Sequence, residues 1–563
     1  MNLMKKPEKI ILTGAFILMW AVLAAYAGGP IFSDEFLYID AGLRNFAEPS
    51  YGNRYFHIYL QKFFMEIAPS PLWGIRVFWG FNIALTAVLV YLNSRLFFRD
   101  SNIIHGLISL AFFFSFAFIT EYSGEPAVDI TAMMMVMVYL TIYYLSIRKG
   151  NDKRFFAGIL GMLAFLSFKT KETTIFINLL FLGFGFGESG EWSWKLAISH
   201  LKYFLFGLAG GIGIFIFLDG LVLGKPLFAV NPTTFGAVFS NYDFQPGFFF
   251  GPTSWYQEYF LDDLAVPFLL FLLSGVKRRS EMGVRRLLIW TYPLVMAVFV
   301  TVNMLKVTFG FIERFYFPAL PVIASLAPQF LKIVVPGTKK QRLGFLALLA
   351  ASFGLVLLLR SVLMDYSASL HFDFGRFLDS IYYPVILSIL LVATIWMQRY
   401  DWAGIVLPLF CLMALLLSPL LYTQKYFFRF PMVRERYQTL FYPFKTFKEE
   451  LAIGEGDVIY ISADLARSQE MLSDDPNDIT GMYNFYFDSR ISDRSVFLGY
   501  SQEAMPQALS EREFNYALLS ESDIKLIVEG DVPEETRKEI EDRYRFVADP
   551  EEKVYLLLLD DID

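Results

Sequence analysis

Cysteine is almost missing from this chain: 563 residues carry one, Cys411, and it sits inside an apolar run. A single thiol excludes an intramolecular disulfide framework and a thiolate metal site. Histidine is nearly as scarce, with four residues scattered singly, which argues against a His-based zinc centre. Charge is thin as well. Asp, Glu, Lys and Arg make up 18% of the residues, the net charge is −7, and there is no basic block. No nucleic-acid partner is therefore expected. No internal repeat, low-complexity tract or Gly-rich phosphate loop is visible, so nothing in the chain predicts a nucleotide-binding fold.

What fills the chain instead is apolar: 55% of its residues are hydrophobic and 18% aromatic. They recur in long runs, the signature of a polytopic α-helical membrane protein. About thirteen runs can cross a hydrocarbon core of roughly 30 Å, some of them short enough to need tilting or re-entry. They lie near Ile10–Gly28, Leu72–Phe97, Ile103–Thr120, Val128–Ile147, Phe155–Phe168, Thr173–Phe186, Leu201–Leu218, Leu261–Val276, Leu287–Leu305, Phe315–Val335, Phe345–Met364, Ile381–Met397 and Gly404–Tyr422. The fifth and sixth are short and are separated only by "KTKE". The first has the basic start and the Ala25-Tyr26-Ala27 of a secretory signal. Because the rest of the chain is itself embedded, it reads as a retained first span.

Loops carrying "MKKPEK", "RLFFRD", "RKGNDKR", "KRRSEMGVRR" and "TKKQR" alternate with loops carrying "SDE", "EYSGEP" and "FLDDL". The basic set is expected in the cytoplasm and the acidic set outside. An odd number of spans then puts the C-terminal segment outside as well. Two outward loops are long. Residues 30–71 mix charged and aromatic side chains and predict short helices on the membrane surface; residues 219–263 are rich in Gly, Pro, Phe and Tyr. The organisation is thus a membrane domain over 1–422 and a soluble α/β domain of about 140 residues over 423–563, an ordinary size for one small domain. In that domain "DVIYIS", "RSVFLGY", "DIKLIVEG" and "KVYLLLL" read as strands, and "ADLARSQEML" and "PEETRKEIEDRY" as helices.

Four groups of charges interrupt this pattern at predicted outer boundaries. "SDEFLYIDAGLR" holds Asp34 and Glu35, with Asp40 and Arg44 behind them. Adjacent positions do not share a helix face, so Asp34 and Glu35 do not form one paired site. "EYSGEPAVDI" places Asp129 in the first turn after Pro126, where it also complements the helix dipole. "FLSFKTKETTIF" holds Lys169, Lys171 and Glu172. Charges at such depth are costly and tend to be functional, although lysines at helix ends also snorkel. "GFIERFYFPALP" holds Glu313 and Arg314, and "YGNRYFHIYL" adds Arg54. Carboxylates and cations on one membrane face suit a reaction that deprotonates a hydroxyl and releases a phosphate.

These residues carry a resemblance. The chain is similar to the GT-C superfamily of polyprenyl-phosphate-sugar-dependent glycosyltransferases, and within it to the protein O-mannosyltransferase and lipid A aminoarabinose transferase group. Those families open with one span followed by an outward Asp-Glu, matched by Asp34-Glu35, and start the fourth span with an acid, matched by Asp129. The segments "GILGMLAFLSFKTKET" and "RFYFPALP" match two further motifs, with Phe315 in place of the usual Tyr. A Lys-Pro-Pro-like pattern found in some relatives is missing around Arg54. The resemblance covers residues 1–422.

It implies inverting transfer of a sugar from a polyprenyl-phosphate donor to an acceptor hydroxyl on lipid, protein or polysaccharide, at the outer face of a cell membrane. Asp34 would be the general base, with Glu35 and Asp129 beside it, and Arg54, Lys169, Lys171 and Arg314 would bind the lipid phosphate. No cofactor and no metal are expected, though Asp34, Glu35 and Asp129 are the residues that would ligate Mg²⁺ or Mn²⁺. A secondary transporter or lipid flippase is the alternative. Broken helices at mid-membrane and paired repeats, which mark transporters, are not visible in the sequence.

The loop charges make the topology testable. Protease added to intact cells should remove a tag placed after Asp563 and spare one placed before Met1. Protection of the C-terminal tag would reverse the orientation.

Overall fold

With water excluded, a long apolar run can satisfy its backbone polar groups only by coiling into a helix. The structure, a computed structural model, follows that rule. It describes residues 6–27, 38–39, 41–43, 45, 54–98, 100–116, 127–148, 153–187, 190–231, 265–277, 282–306, 312–331, 458–462, 496–498, 504–511, 514–530, 532–549 and 554–559. The helical part comprises α1 (Lys6–Tyr26), α2 (Tyr55–Ile67), α3 (Pro71–Phe97), α4 (Ile103–Ser115), α5 (Val128–Arg148), α6 (Lys153–Phe168), a 3₁₀ segment (Glu172–Gly185) and α7 (Trp194–Leu218). A π-helical turn (Asp219–Leu223) ends α7, and α8 (Ala265–Lys277), α9 (Val284–Lys306) and a 3₁₀ segment (Ile312–Ala319) leading into α10 (Leu320–Leu326) follow.

Four of the described helices are long and apolar enough to cross a membrane: Pro7–Ala25, Pro71–Phe97, Val128–Ile147 and Trp194–Leu223. The spans expected at Phe345–Met364, Ile381–Met397 and Gly404–Tyr422 lie outside the described residues, as does most of loop 219–263. The chain divides into two compact units. One holds Met1–Ala27, Pro49–His57 and Arg76–Phe430; the other holds Gly28–Glu48, Ile58–Ile75 and Pro431–Asp563.

Within the first unit α5 is the central helix, with 72% of its apolar stretch buried against 6% for α1. Helices α6 and α7 approach each other through glycine. A Cβ on Gly161 would fall 1.9 Å from the Phe204 carbonyl oxygen, and one on Gly207 would fall 1.7 Å from the Gly158 oxygen. Only hydrogen fits there, so the two backbones touch. Gly158 meets Gly207, Met162 meets Gly211, and the ring of Phe165 meets that of Phe215. Residue numbers rise together along both helices at a nearly constant offset, so α6 and α7 run parallel.

The expected sixth span is not an α-helix. Residues Glu172–Gly185 form a 3₁₀ segment of 14 residues, whose rise of about 2.0 Å per residue gives roughly 28 Å. The same residues as an α-helix would reach only about 21 Å. The tighter winding thus lets a short run cover nearly a whole hydrocarbon core of roughly 30 Å. Its far end is capped from α9, where Arg285 Nε donates to the Gly183 carbonyl at 2.9 Å and the guanidinium also donates to that of Phe186.

The described residues from 458 to 559 form a five-stranded mixed sheet in the order β2-β1-β3-β5-β4. Its strands are β1 (Ile459–Ile461), β2 (Val496–Leu498), β3 (Tyr516–Ser520), β4 (Tyr544–Asp549) and β5 (Val554–Leu559). Strand β1 pairs in parallel with β2 and β3, while β5 runs antiparallel to β3 and β4. Three helices, α11 (Met505–Glu511), α12 (Glu521–Glu529) and α13 (Glu534–Arg543), join the strands. Tyr460, Leu509, Phe514, Leu519, Ile527, Ile540 and Tyr544 share one core.

One expectation is overturned here: "DIKLIVEG" is helix α12, not a strand. Ser520 and Asp523 form a reciprocal capping box, with Asp523 N–H donating to Ser520 Oγ at 3.2 Å and Ser520 N–H to Asp523 Oδ2 at 2.8 Å. That start signal, with Asp523 and Ile527 buried four residues apart on one helix face, overrides the β-branched composition.

The glycine contacts yield a paired test. Gly207→Ala should lower stability by about 1–3 kcal/mol through overpacking. A Cβ on Gly210, three residues on, meets nothing within 4 Å, so Gly210→Ala should be neutral or raise stability by up to about 1 kcal/mol through helix propensity. Thermal unfolding of both variants in detergent checks the contrast. Equal shifts would mean that α6 and α7 do not touch there.

Candidate functional site

The site is assembled at one end of the helical unit, where α2 and α5 begin and where α6 and α7 stop. Helix α6 closes with Lys169 N–H donating to the Phe165 carbonyl at 2.9 Å, after which Thr170 and Lys171 both bond back to Ser167. Lys171 is extended and leads into the 3₁₀ segment. On one helix, residues two apart would diverge by about 200°. The break lets the two lysines turn to different partners.

Lys171, 3% exposed, donates to Asp129 Oδ1, and Asp129 is 1% exposed. The first turn of α5 therefore supplies the counter-charge for the α6 turn. Asp129 Oδ2 has no hydrogen-bond partner among the described residues. Lys169 is fully buried, with its ammonium 5.9 Å from the ring centres of both Phe165 and Phe168. Burial pushes it down to about 8, against the pull of the Asp219 carboxylate, which favours the charged form. Arg54 forms a two-pronged pair with Glu172, one N–H···O distance being 3.2 Å. The Phe56 N–H donates to the Lys169 carbonyl at 2.9 Å, which ties the start of α2 to the same turn.

A neutral layer supports these charges. Burial, and then the Arg54 cation, push His57 down to about 3, so its ring is uncharged at physiological pH. Its Nδ1 lies 2.8 Å from Thr131 Oγ1, which also accepts from Asn82 Nδ2 at 3.0 Å. Thr131 lies two residues beyond Asp129, so this layer fixes the turn that carries the acid.

Of the residues singled out from sequence, Arg54, Asp129, Lys169 and Lys171 are brought together. Asp34 and Glu35 lie outside the described residues, as do Asp40 and Arg44. Arg314 belongs to the 3₁₀ segment Ile312–Ala319, which packs against α5 and α9; its side chain is outside the described set. Sequence reasoning missed Asn82, Thr131, His57 and Asp219, and it left Glu172 without a partner. Asp219 did carry a signal, as the lone charged residue between Lys202 and Lys225 in an apolar stretch. Asn82 and Thr131 carried none, being common polar residues inside helices.

No family model matches this sequence, and neither does any curated protein. Solved structures do match. ArnT from Cupriavidus metallidurans in the apo state aligns over 98% of this chain and 97% of its own, at 12% identity and a TM-score of 0.53. The same protein bound to undecaprenyl phosphate aligns over 98% of each chain, at 14% identity and a TM-score of 0.51. The chain has the fold of ArnT. Archaeal oligosaccharyltransferase AglB from Archaeoglobus fulgidus, solved with an inhibitory peptide and a dolichol-phosphate, also aligns, over 99% of this chain and 75% of its own, at 12% identity and a TM-score of 0.42. Identity this low carries the fold alone, and the chemistry rests on the site's own residues.

The Asp129–Lys171 pair makes a stability prediction. Removing one partner of a buried pair leaves the other charge uncompensated, at a cost of about 3–5 kcal/mol. Asp129→Asn and Lys171→Met should each destabilise strongly, and the double variant should be less destabilised than the sum of the two. Thermal unfolding of the four proteins measures the coupling. Additive losses would show that the two charges do not depend on each other.

Proposed function

We propose that this protein is a membrane glycosyltransferase that moves a sugar from a polyprenyl-phosphate donor to an acceptor hydroxyl, with inversion, at the outer face of the membrane. The observation that carries this reading is a set of three cations, the buried Lys169 and Lys171 and the part-buried Arg54, gathered on the turns that close one end of a GT-C fold. Buried cations at a bundle end are expensive and are best explained by an anion that they serve. The ArnT structure with undecaprenyl phosphate supplies the chemical class of that anion for a chain of the same fold.

In the proposed reaction the acceptor oxygen attacks the anomeric carbon from the face opposite the phosphate. The bond from that carbon to the phosphate oxygen breaks, and its electron pair leaves with the polyprenyl phosphate. The acceptor's proton passes to a carboxylate, assigned to Asp34, with Glu35 orienting its loop. Lys169, Lys171 and Arg314 face the lipid phosphate, whose charge grows as the bond breaks, so they act more strongly in the transition state than on the bound donor. Asp129 holds Lys171 in place, and Glu172 holds Arg54. The proposal needs no cofactor. The C-terminal sheet has no assigned part in it.

Purified protein in nanodiscs, offered a panel of undecaprenyl-phosphate sugars and assayed by mass spectrometry of the lipid products, tests the reading. Lys169→Met keeps the stem's bulk and should lower turnover by on the order of 10²-fold. Asp34→Asn should lower it by about 10²–10⁴-fold with donor binding retained. Near-normal turnover in both variants would remove the proposed base and phosphate site together.

A further inference from the structure

Asp219 has no part in the proposed reaction, yet it is fully buried and lies in the last turns of the longest apolar helix among the described residues. The parallel register of α6 and α7 says what it faces. Gly158 lies against Gly207, Met162 against Gly211, and Phe165 against Phe215, the two rings 5.4 Å apart. One more turn along each helix leads from Phe165 to Lys169 and from Phe215 to Asp219, since residues four apart share a helix face. The same step places Asp219, the first residue beyond α7, opposite Lys169, the first residue beyond α6.

Local structure holds Asp219 there. Its carbonyl accepts from Gly224 N–H, which closes the π-helical turn, and from Lys225 N–H at 3.2 Å; Gly224 adopts a left-handed φ of 64°. Such single π turns inside or at the end of α-helices recur at functional sites. Beyond the turn, Phe228 packs edge-on against Tyr55 at 4.8 Å, and Phe215 meets Phe56 at 6.2 Å. The turn is therefore locked to the Arg54–Phe56 segment, whose Phe56 N–H binds the Lys169 carbonyl.

We propose that Asp219 is a positioning residue for Lys169, holding its ammonium charged and directed at the phosphate side of the site. The proposal rests on the reading of Lys169 as a lipid-phosphate ligand. Among the described residues, the charged groups at this end of the bundle are Asp219 from α7, Lys225 just beyond its π turn, Lys171 and Glu172 from the α6 turn and the 3₁₀ segment, Asp129 from α5, and Arg54 ahead of α2. Lys171 pairs with Asp129 and Arg54 with Glu172, and the carboxylate that α7 brings here, Asp219, favours the charged form of Lys169. The sign follows from the chemistry. Without the Asp219 charge, burial among Phe165 and Phe168 acts alone on Lys169, and the lysine loses its proton at a lower pH.

Two readouts separate this proposal from the function it rests on. The first needs no ligand: Tm is measured for the wild type, Asp219→Asn, Lys169→Met and the double variant. Each single variant should lower Tm, and the double should fall by clearly less than the two shifts added. The second is binding of undecaprenyl monophosphate in nanodiscs between pH 6 and 9.5. Wild-type binding should weaken as pH rises through the range near 8, and Asp219→Asn should move that midpoint down by about one unit or more. Adding Lys169→Arg to Asp219→Asn should restore binding across the range, because a guanidinium stays charged. Additive Tm shifts, or an unmoved pH midpoint in Asp219→Asn, would overturn the proposal. Coupled Tm shifts in a protein that binds no undecaprenyl monophosphate would uphold the pairing and overturn the proposed function instead.

Discussion

The cost of burying charge governs how this molecule is built. Lys169 and Lys171 are buried where a bare cation would be far too expensive, Arg54 is part-buried beside them, and Lys171 and Arg54 each have a carboxylate arriving from a different part of the chain. Glu172 meets Arg54 across 118 positions, and Asp129 meets Lys171 across 42. Pairs drawn from such distant segments form only when the helices carrying them are already in place, so the charges report on the packing. They also fix it. Sliding any one helix by a turn, about 5.4 Å, would leave an acid and a base buried without each other, at several kcal/mol apiece.

Glycine makes the positioning possible. Without a side chain at Gly161 and Gly207, α6 and α7 come close enough for their backbones to touch, and their parallel course follows from what lies between them. The 3₁₀ segment Glu172–Gly185 takes the chain back from the end of α6 before α7 begins. An α-helix of that length would fall short of the other side. The tight winding therefore has a consequence at the site: it lets the chain turn sharply at Lys171 and still return in 14 residues. Arg285 at the far end keeps the segment's last carbonyls satisfied, which a long 3₁₀ run with its poorer hydrogen bonds needs.

Much of this was legible in the residues. Apolar length alone gives α3 and α5 to within one residue at each end and finds α1 and α7, whose starts at Lys6 and Trp194 lie before the expected Ile10 and Leu201, because a backbone without water has no other option. Charges that interrupt such runs stand out for the same reason, and Asp129, Lys169, Lys171 and Arg54 were found that way. Three things were not legible. Pairing between distant charges depends on helix register, which the order of residues does not give. Winding depends on span length measured against its neighbours, so Thr173–Phe186 looked like any short helix. Strand and helix in the soluble part were confused at "DIKLIVEG", where the β-branched residues spoke louder than the Ser520–Asp523 cap. Asn82 and Thr131 are invisible for a different cause: their role comes only from meeting His57.

Charge balance also decides when these cations would act in the proposed transfer. A cation already matched by its own carboxylate has little field left for a donor phosphodiester carrying one negative charge. The leaving lipid phosphate carries a second, partial charge that builds only as the glycosidic bond breaks. A set of cations neutralised at rest therefore discriminates in favour of the more highly charged state, whereas unpaired cations would bind the donor tightly and gain less at the transition state. Pairing is in this sense useful to catalysis and is more than a remedy for burial. The arrangement of Lys169 fits that logic: its aromatic surroundings exclude water, and in such a place a change of one charge on a neighbouring group is felt more strongly than it would be at an exposed lysine.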